Sequence, residues 1–305
     1  MKITPKLFTE SEAIASLYPR PENSNKSTFG KTALFVGSKK YPGAAYLATS
    51  AALRTGVGYL IFHGSEELCL ELRSSYPEVI YKTDLGESLL LSELLSPSSV
   101  LLGCGSDISE MLAALSFSLS SAREGITVLD ADALNSISKY GSKLGSKYGS
   151  LSRLSTPDKR VIITPHPLEL SRLTGLSVET IEKDRVKTAL SVSRELGVTL
   201  LLKGNRTLIT DGSRIYENTT GSSALARAGS GDVLAGLIAG FAANVTDPLI
   251  AAALGAYIHG AAADLLAKER SSYGTLPSEL PLAASSVIRS LETAQKIKQN
   301  PLSDK

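Results

Sequence analysis

Residues 32–63, TALFVGSKKYPGAAYLATSAALRTGVGYLIFH, place two short apolar runs on either side of a segment with helical spacing. The runs 32–37 and 58–63 are typical of buried β-strands, and 44–55 repeats apolar residues with the period of an α-helix. A strand, a helix and a second strand in this order form a βαβ unit, in which the two strands lie parallel. The stretch therefore predicts a parallel sheet.

The same pattern continues along the chain. Further apolar runs, each ending in small or polar residues, predict strands at 99–105, 126–132, 160–165 and 199–204. A hairpin is predicted over TLITDGSRIYE, 207–217, with Asp211 and Gly212 in its turn. Helical spacing recurs at 107–124, 168–174, 182–196, 232–243 and 248–268. Because these strands are apolar throughout rather than alternating, we expect an α/β fold, with a central, mostly parallel sheet and helices on both faces.

Three polar stretches are predicted to lie outside this unit. Residues 1–30 carry several prolines and are interpreted as an irregular N-terminal arm. KYGSKLGSKYGS, 139–150, is a short internal repeat that we expect to form a solvated loop, and the charged tail 295–305 is expected to fray. No shift in composition divides residues 31–294, which we interpret as a single domain.

Composition and charge exclude several classes of partner. Of 305 residues, 43% are hydrophobic and 20% are charged, which is typical of a globular protein with a substantial core. The net charge of +2 gives no electrostatic reason to expect nucleic acid or a membrane surface as a partner. No apolar run approaches the roughly 20 residues of a membrane span, and the N-terminus lacks the apolar core of a signal peptide. Cys69 and Cys104 have no metal-ligand or redox spacing, so we expect a cytoplasmic protein.

A glycine-rich segment leads into a helical stretch within TTGSSALARAGSGDVLAGLIAGFAAN, 219–244. Gly229, Ser230 and Gly231 leave backbone N–H groups free to meet an anion, and the helix dipole favours negative charge there. Such a helix start stabilises a phosphoryl group in transfer. Asp232 follows directly, where its carboxylate could take a proton from a substrate hydroxyl. The same residues would also fit a helix-capping aspartate after a tight turn.

Other polar segments follow predicted strands, at the edge where open α/β sheets bind ligands. KGNRT, 203–207, offers a glycine, a cation and short polar groups to a nucleotide, although an ordinary turn into the hairpin has the same composition. His166 stands between two prolines that set the direction of the chain, so a neutral imidazole could contact a ligand there. His63 and His259 are interpreted as structural, because they lie at a strand end and in an apolar helix.

Two aspartates, Asp130 and Asp132, lie in VLDADALN and could hold Mg²⁺ or cap the helix that follows. GCGSD, 103–107, is a strand exit of small residues that allows a ligand close to the backbone. It is not the GxGxxG fingerprint of dinucleotide-binding dehydrogenases, and the sequence contains no GxxxxGK[ST] P-loop. A Rossmann dehydrogenase is therefore disfavoured.

Six segments together resemble one family. They are GSKKYPGAAYLATSAALRTGVGYL, VLDADALN, TPHPLELSRL, LLKGNRTLITDG, ARAGSGDVLAGLIAG and YIHGAAAD, in this order. They closely resemble the ADP- or ATP-dependent NAD(P)H-hydrate dehydratases, a branch of the ribokinase-like superfamily, over roughly residues 30–290. Such enzymes repair NADH and NADPH that have been hydrated at the nicotinamide ring (NADHX and NADPHX). The resemblance implies that a nucleotide phosphorylates the added hydroxyl and that phosphate is then eliminated, which restores the double bond.

The resemblance also implies roles for individual residues. Asp232 matches the family's base, and Gly229, Ser230 and Gly231 match its anion hole. The residues matching the nucleotide site are Lys203, Gly204, Asn205, Arg206, Thr207 and Gly231. The residues matching the site for hydrated NAD(P)H are Ala44, Gly105, His166 and Asp232. Members are typically Mg²⁺-dependent homo-oligomers, often tetramers, and we expect the same here with ADP or ATP as co-substrate.

The strand exit at 103–107 departs from the family pattern. Cys104, Ser106 and Asp107 stand where many members have proline, leucine and glycine, so only Gly103 and Gly105 match. Many members also carry an N-terminal epimerase domain. The short segment before the first predicted strand leaves no room for it, so we expect epimerase activity to be absent or to reside on a separate protein.

The segment before the glycine-rich helix departs as well. Ser222, Arg227 and Ala228 stand where the family often has an asparagine, a small polar residue and a glycine. The anion hole tolerates Ala228 if the φ angle of that residue is negative, and Arg227 could alter contacts to substrate or phosphate.

Two other functions stay open at this point. A ribokinase-like kinase of a vitamin precursor, such as a hydroxyethylthiazole or a hydroxymethylpyrimidine, would share the AGSGD helix start. It would not be expected to share TPHPLE and DADALN at this spacing. A nucleotide-binding sensor without turnover would tolerate the replaced residues around Arg227 and in GCGSD.

Overall fold

The computed structural model describes residues 3–83, 97–106, 114–115, 125–147 and 160–299, and ten strands in these ranges form one sheet. The strands are β1 (Lys6–Leu7), β2 (Lys31–Phe35), β3 (Tyr59–His63), β4 (Ile80–Lys82), β5 (Ser99–Leu102), β6 (Ile126–Leu129), β7 (Val161–Ile163), β8 (Thr199–Leu202), β9 (Leu208–Thr210) and β10 (Ile215–Glu217). Their order across the sheet is β1-β10-β9-β8-β7-β6-β5-β2-β3-β4.

The sheet is mostly parallel, as predicted. All neighbours from β4 across to β8 run parallel, and each strand predicted from an apolar run is present. Strands β2 and β3 are neighbours with Leu34 beside Phe62, which confirms the βαβ unit at 32–63. Strands β9 and β10 form the predicted antiparallel hairpin. Gly212 in its turn has a φ angle of 89°, which favours glycine.

Ten α-helices lie within the described ranges, on both faces of the sheet. They are α1 (Glu10–Ser16), α2 (Pro42–Leu53), α3 (Glu66–Arg73), α4 (Asp132–Lys147), α5 (Pro167–Thr174), α6 (Val178–Lys183), α7 (Arg185–Leu196), α8 (Ser230–Phe241), α9 (Pro248–Glu269) and α10 (Leu280–Gln299). Side chains alternate along the central strands. In β5, Leu101 packs with apolar residues of α2, α8 and α9, whereas Val100 and Leu102 pack with those of α4, α5 and α7.

The N-terminal segment is ordered rather than an irregular arm. Strand β1 pairs with β10, and Phe8 directly after it is buried. Helix α1 packs on α10, where Gln295 donates hydrogen bonds to the carbonyl oxygens of Ile14 and Leu17 at 3.0 and 2.8 Å. The prediction for 1–30 was wrong because the surface that buries these few apolar residues comes from the other end of the chain.

Two further boundaries differ from the predictions. Helix α4 continues to Lys147, so the loop expected at 139–150 is wrong for 139–147, and 148–150 lie outside the described residues. Leu134, Ile137 and Leu144 keep one helical period across the glycines of the repeat. Helix α10 runs to Gln299, so the predicted tail is helical over 295–299, and 300–305 lie outside the described residues.

The middle of the chain shows one more difference. The helix predicted at 182–196 is two helices, α6 and α7, which meet at Asp184. The Asp184 carboxylate accepts a hydrogen bond from the N–H of Lys187 at 3.0 Å and so caps α7. The helix predicted at 107–124 falls outside the described residues except for 114–115, which are helical.

Helix α9 is the one described helix that is long and apolar enough to cross a membrane by length and composition. The expectation that no apolar run reaches such a length is therefore wrong. Ala252, Leu254 and Ile258 of this helix are buried against neighbouring elements of the fold. Its apolar character is accounted for by burial in the protein core.

Helices α2 and α8 are in close backbone contact. A Cβ atom on Gly236 of α8 would lie 2.4 Å from the carbonyl oxygen of Ala48 in α2. A Cβ atom on Gly240, one turn later, would lie 2.9 Å from the carbonyl oxygen of Ala52. Because no side chain separates the two backbones, α8 has a closely defined position against α2.

We expect Gly236→Ala to lower the free energy of unfolding by about 1–3 kcal/mol, because the added methyl group would force these helices apart. Gly43→Ala, in the first turn of α2, is the matched control, since nothing lies within 4 Å of its new Cβ atom. Its stability should be unchanged or slightly higher. Urea denaturation measures both, and wild-type stability of Gly236→Ala would contradict the close contact.

Candidate active site

The carboxyl ends of β6 and β8 bring Asp130 and Lys203 together. Each residue directly follows its strand, and β7 lies between the two strands in the sheet. Lys203 Nζ donates to Asp130 Oδ1 at 2.7 Å and lies 3.7 Å from Glu169 Oε2. All three side chains are largely buried. The first two are 73 residues apart in the chain, so the order of strands in the sheet makes them neighbours.

The glycine-rich start of α8 lies at this same edge. Gly229, with a φ angle of 95°, precedes Ser230, the first residue of the helix. A Cβ atom on Gly231 would lie 3.7 Å from Lys203 Nζ and 3.8 Å from Asp130 Oδ2. The first turn of α8 therefore faces a buried lysine, and a helix N-terminus favours an anion. The N–H of Ser230, predicted as part of the anion hole, donates instead to the carbonyl oxygen of Arg227 at 3.2 Å.

Ala228 meets the condition under which the anion hole tolerates it. Among the described residues, the non-glycine residues with positive φ are Ala131 and Arg206, so the φ angle of Ala228 is negative. Arg227, the other replacement, donates a hydrogen bond to the carbonyl oxygen of Tyr273. Its guanidinium group is thus bound to the segment that follows α9.

Asp232 occupies the first turn of α8 beside the Asp130–Lys203 pair. Burial raises the pKa of its carboxyl to about 6, and the negative charge of Asp130 adds to the shift. A hydrogen bond from the Cys104 thiol and the positive charge of Lys203 act in the opposite direction. A carboxylate with this pKa is ionised at neutral pH and is a stronger base than an exposed aspartate.

Lys203 keeps its charge in this buried position. Burial disfavours the ammonium form, but the carboxylates of Asp130 and Glu169 outweigh it and raise the pKa of Lys203 above its ordinary value. A lysine ammonium acts as a point charge toward phosphate. The arrangement therefore presents one fixed positive charge beside the start of α8.

A cavity of about 560 Å³ opens at this place. Its volume is within the range of small-molecule sites. All five residues of the segment 203–207 line it, together with Ser230 and Gly231. The rest of the lining consists of Asn218, Thr220, Gly221, Ser222, Ser223, Leu225, Ala226, Leu234, Ala256, His259 and Gly260. The structure thus gathers the residues predicted to bind a nucleotide around one cavity.

Five of the six residues 218–223 form a wall of the cavity, and the sequence analysis assigned none of them to the site, although it noted Ser222 as a departure from the family pattern. Asn218 Nδ2 donates to the carbonyl oxygen of Ala256 at 3.1 Å, and the N–H of Gly221 donates to Asp264 Oδ2 at 2.8 Å. These bonds hold the segment against α9. The run NTTGSS, six small or polar residues directly after a strand, is the signal that could have identified it.

Two histidines were interpreted as structural. His259 lines the cavity, and burial lowers the pKa of its imidazole to about 4, so the ring is neutral at pH 7. His63 is buried and stacks on Phe35 with 4.3 Å between the ring centroids. His259 therefore borders the candidate nucleotide cavity, which its position in an apolar helix did not indicate.

His166 is the N-cap residue of α5. Its Nδ1 atom accepts a hydrogen bond from the N–H of Glu169 at 3.2 Å, and its own N–H donates to Glu169 Oε2 at 2.9 Å. The His166 side chain is 45% exposed. The hydrogen bond at Nδ1 therefore fixes the ring while part of it stays accessible to a ligand. Glu169 was not predicted as a site residue. The signal for it is a capping box, which places a glutamate three residues after the N-cap.

The remaining candidates, Ala44, Gly105 and His166, are called the second group because they are not among the described residues that line the 560 Å³ cavity. A Cβ atom on Gly105 would lie 2.8 Å from the Cβ atom of Ala44, so these two residues are in contact. The Cys104 thiol, beside Gly105, donates a hydrogen bond to Asp130 Oδ2 at 3.9 Å, and it also acts on the pKa of Asp232. Asp107 lies outside the described residues.

The two candidate metal ligands differ in surroundings. Asp130 is paired with Lys203, whereas Asp132 begins α4, and burial raises the pKa of its carboxyl. The described residues contain no cluster of three or more histidine, cysteine, aspartate or glutamate side chains arranged for a metal. Mg²⁺ commonly binds through one or two carboxylates together with substrate phosphates. The two carboxylates are of the donor type that Mg²⁺ uses, although Asp130 already accepts a hydrogen bond from Lys203.

A sequence profile of NAD(P)H-hydrate dehydratases matches residues 32–284. The chain belongs to the NAD(P)H-hydrate dehydratase family. The matched range contains all six segments on which the resemblance rests and every candidate site residue. The family predicted from those segments is therefore confirmed.

Two relatives illustrate the similarity in sequence. A bifunctional NAD(P)H-hydrate repair enzyme of Moorella thermoacetica is 33% identical over 301 residues, which are 94% of this chain and 54% of that protein. An ADP-dependent (S)-NAD(P)H-hydrate dehydratase of Neisseria meningitidis serogroup B is 34% identical over 269 residues, which are 87% of this chain and 87% of that protein. The chain thus spans about half the length of the bifunctional relative and most of the dehydratase.

Solved structures confirm the ribokinase-like fold. An ADP/ATP-dependent NAD(P)H-hydrate dehydratase of Bacillus subtilis, co-crystallised with ATP/Mg²⁺, aligns with a TM-score of 0.81 and 31% identity over 95% of this chain and 100% of that chain. A hydroxyethylthiazole kinase of Pyrococcus horikoshii aligns with a TM-score of 0.62 and 19% identity, over 92% of this chain and 96% of that chain. The second similarity shows the fold alone.

We expect Asp232→Asn to stabilise the folded protein more at pH 8 than at pH 5. A carboxyl whose folded pKa is about 6 binds its proton more tightly than in the unfolded chain, so stability falls as the pH rises from about 4 to about 6. The full cost above pH 6 is on the order of 3 kcal/mol, and the neutral amide avoids it. Urea denaturation measures the gain in unfolding free energy of Asp232→Asn over the wild type at each pH. This gain should be larger at pH 8 than at pH 5 by about 1 kcal/mol or more.

Asp211→Asn in the hairpin turn serves as the control of opposite sign. Although burial opposes it, hydrogen bonds from Arg214 and Ser213 hold the pKa of Asp211 below its ordinary value. Ionised Asp211 therefore stabilises the fold, and its replacement should lower stability at both pH values. A gain for Asp232→Asn that does not depend on pH would contradict the charge balance described for the site.

Proposed function

We propose that this protein catalyses the nucleotide-dependent dehydration of hydrated NAD(P)H to NAD(P)H. The observation that carries the proposal is the position of Asp232, a carboxylate with a pKa raised to about 6 by burial, at a glycine-rich helix start beside a buried lysine. The relatives from N. meningitidis and B. subtilis bear the name of this activity. Their match over most of the chain supports the same activity here.

In this proposal the nucleotide occupies the 560 Å³ cavity. The backbone N–H groups at the start of α8 and the ammonium group of Lys203 meet its terminal phosphate, where negative charge develops during transfer. Gly204, Asn205, Arg206 and Thr207 contribute the rest of that wall. Catalysis of phosphoryl transfer depends mainly on such positioning and charge stabilisation.

Asp232 accepts the proton of the hydroxyl group on the hydrated nicotinamide ring. The hydroxyl oxygen then bonds to the terminal phosphorus while the bond from that phosphorus to the rest of the nucleotide breaks, which turns ADP into AMP or ATP into ADP. In the second step the ring carbon–oxygen bond breaks, phosphate leaves with the electron pair, and the adjacent carbon loses a proton. Phosphate is a far better leaving group than hydroxide at neutral pH, which explains the consumption of a nucleotide.

The second group of candidates is proposed to contact hydrated NAD(P)H. Ala44, Gly105 and His166 lie outside the lining of the nucleotide cavity. Cys104, the neighbour of Gly105, donates to Asp130 and lowers the pKa of Asp232, which supports a place for Gly105 near the proposed base. That placement is what transfer between two ligands needs, since the hydroxyl and the terminal phosphate must meet beside Asp232.

Mg²⁺ is proposed to bind together with the nucleotide. Asp130 and Asp132 are the residues that would hold it, directly or through water, and the cation would neutralise phosphate charge. Following the family pattern, we propose a homotetramer that resides in the cytoplasm. The two free, buried cysteines agree with a reducing compartment.

The direct test is recovery of NADH absorbance from purified NADHX on addition of the protein, Mg²⁺ and ADP or ATP. We expect recovery with a stoichiometric release of inorganic phosphate, because the proposed intermediate eliminates it. Formation of a stable phosphorylated alcohol without recovery would instead indicate a small-molecule kinase. Binding of nucleotide without any turnover would indicate a sensor.

Asp232→Asn should reduce kcat by about 10²–10⁴-fold while the dissociation constant of ADP changes little, because the amide cannot accept the proton. In the wild type, kcat/KM should fall tenfold per pH unit below about pH 6, where the carboxyl becomes protonated. Initial rates between pH 5 and pH 8 measure both effects. A variant with wild-type kcat would rule out Asp232 as the base.

A further inference from the structure

Glu169 contacts residues of both candidate groups. Its Oε2 atom accepts a hydrogen bond from the N–H of His166 at 2.9 Å and lies 3.7 Å from Lys203 Nζ. Its Oε1 atom lies 3.5 Å from His166 Nε2. Because His166 Nδ1 accepts from the N–H of Glu169, the proton of a neutral ring is on Nε2, the nitrogen that lies 3.5 Å from this carboxylate. One side chain thus contacts the proposed dinucleotide-binding imidazole and the proposed nucleotide-binding lysine.

Burial distinguishes this glutamate from an ordinary capping residue. Glu12 occupies the same capping-box position in α1 and pairs with Lys6 at 2.7 Å. The Glu12 and Lys6 side chains are 23% and 66% exposed, whereas those of Glu169 and Lys203 are 6% and 20% exposed. Removing a carboxylate from water is costly unless charges and hydrogen bonds compensate it. Glu12 caps its helix while it stays partly exposed, so capping does not require a buried carboxylate. The burial of Glu169 therefore needs a second reason.

We propose that Glu169 is a positioning residue that holds the imidazole of His166 and the ammonium group of Lys203 in place through one buried carboxylate. The inference rests on the proposed function, in which His166 contacts hydrated NAD(P)H and Lys203 contacts the nucleotide. Glu169 itself touches neither ligand. Asp130 after β6 and Glu169 in α5 both hold Lys203. Glu169 therefore connects the residue proposed to contact the nucleotide with the residue proposed to contact hydrated NAD(P)H.

Glu169→Gln is the decisive variant. Its amide oxygen still accepts from the N–H of His166 and caps α5, but the amide carries no negative charge beside Lys203 or beside the His166 ring. We expect the dissociation constants of ADP and of NADPH, the product of the proposed reaction, each to rise about tenfold. Titration calorimetry on the full-length protein measures both. Unchanged constants, or a rise in one of them alone, would overturn the proposal.

Glu12→Gln is the matched control, because it removes the same charge from the same capping position at a distance from the site. It should leave both dissociation constants at their wild-type values. Thermal unfolding of the two variants compares the loss of stability. If Glu169→Gln is much less stable than Glu12→Gln, Glu169→Asp takes its place, since it keeps the charge but withdraws it by one methylene group, with the same expected rise in both constants.

A double-mutant cycle separates positioning from a general structural effect. In a His166→Ala background, Glu169→Gln should no longer change the dissociation constant of NADPH but should still raise that of ADP about tenfold. The reason is that the carboxylate acts on the dinucleotide through the imidazole alone. An equal rise for NADPH in both backgrounds would show that Glu169 does not act through His166.

Because ligand binding rather than turnover is measured, two failures remain distinguishable. A wild-type protein that binds neither ADP nor NADPH contradicts the proposed function, and this inference with it. A wild-type protein that binds both, with Glu169→Gln indistinguishable from Glu12→Gln, contradicts only the positioning role of Glu169.

Discussion

The buried ion pair between Lys203 and Asp130 is the interaction on which the candidate site depends. It joins the ends of two parallel strands across β7, with 2.7 Å between the charged atoms. Removal of Lys203 would leave the buried carboxylates of Asp130 and Glu169 without their counter-charge, which costs several kcal/mol in a buried place. The two charges also act on Asp232 in opposite directions, since Asp130 raises and Lys203 lowers the pKa of that carboxyl. The basicity proposed for Asp232 is therefore a property of the whole charge cluster.

Close backbone packing places the helix start against this cluster. The absence of side chains at Gly236 and Gly240 lets α8 lie directly on α2, which places the first turn of α8, with Gly231, beside Lys203. Such contacts leave α8 little freedom to move against α2, because a protein interior is packed as densely as a crystal and is hardly compressible. Positioning by backbone suits a site whose proposed chemistry is phosphoryl transfer, in which alignment and charge supply most of the rate.

Local patterns were sufficient for some features of the site. Asp232 after three small residues, the segment 203–207 after an apolar run, and His166 between prolines each carry their signal within a few positions of the chain. Glu169 and the wall 218–223 were missed because their importance comes from neighbours on other elements. The same holds for the N-terminal segment, whose apolar residues are buried only because α10 returns to cover them.

The sequence by itself determined eight of the ten described strands, including those of the hairpin, as well as the glycine-rich start of α8 and the family. Apolar runs, turn residues and glycines are local signals, and the six segments are collinear. The tertiary structure alone decided that Lys203 lies between Asp130 and Glu169, that one cavity unites 203–207 with the start of α8, and that the pKa of Asp232 rises to about 6 through burial. Burial and electrostatic coupling depend on distances between residues far apart in the chain, and packing sets those distances.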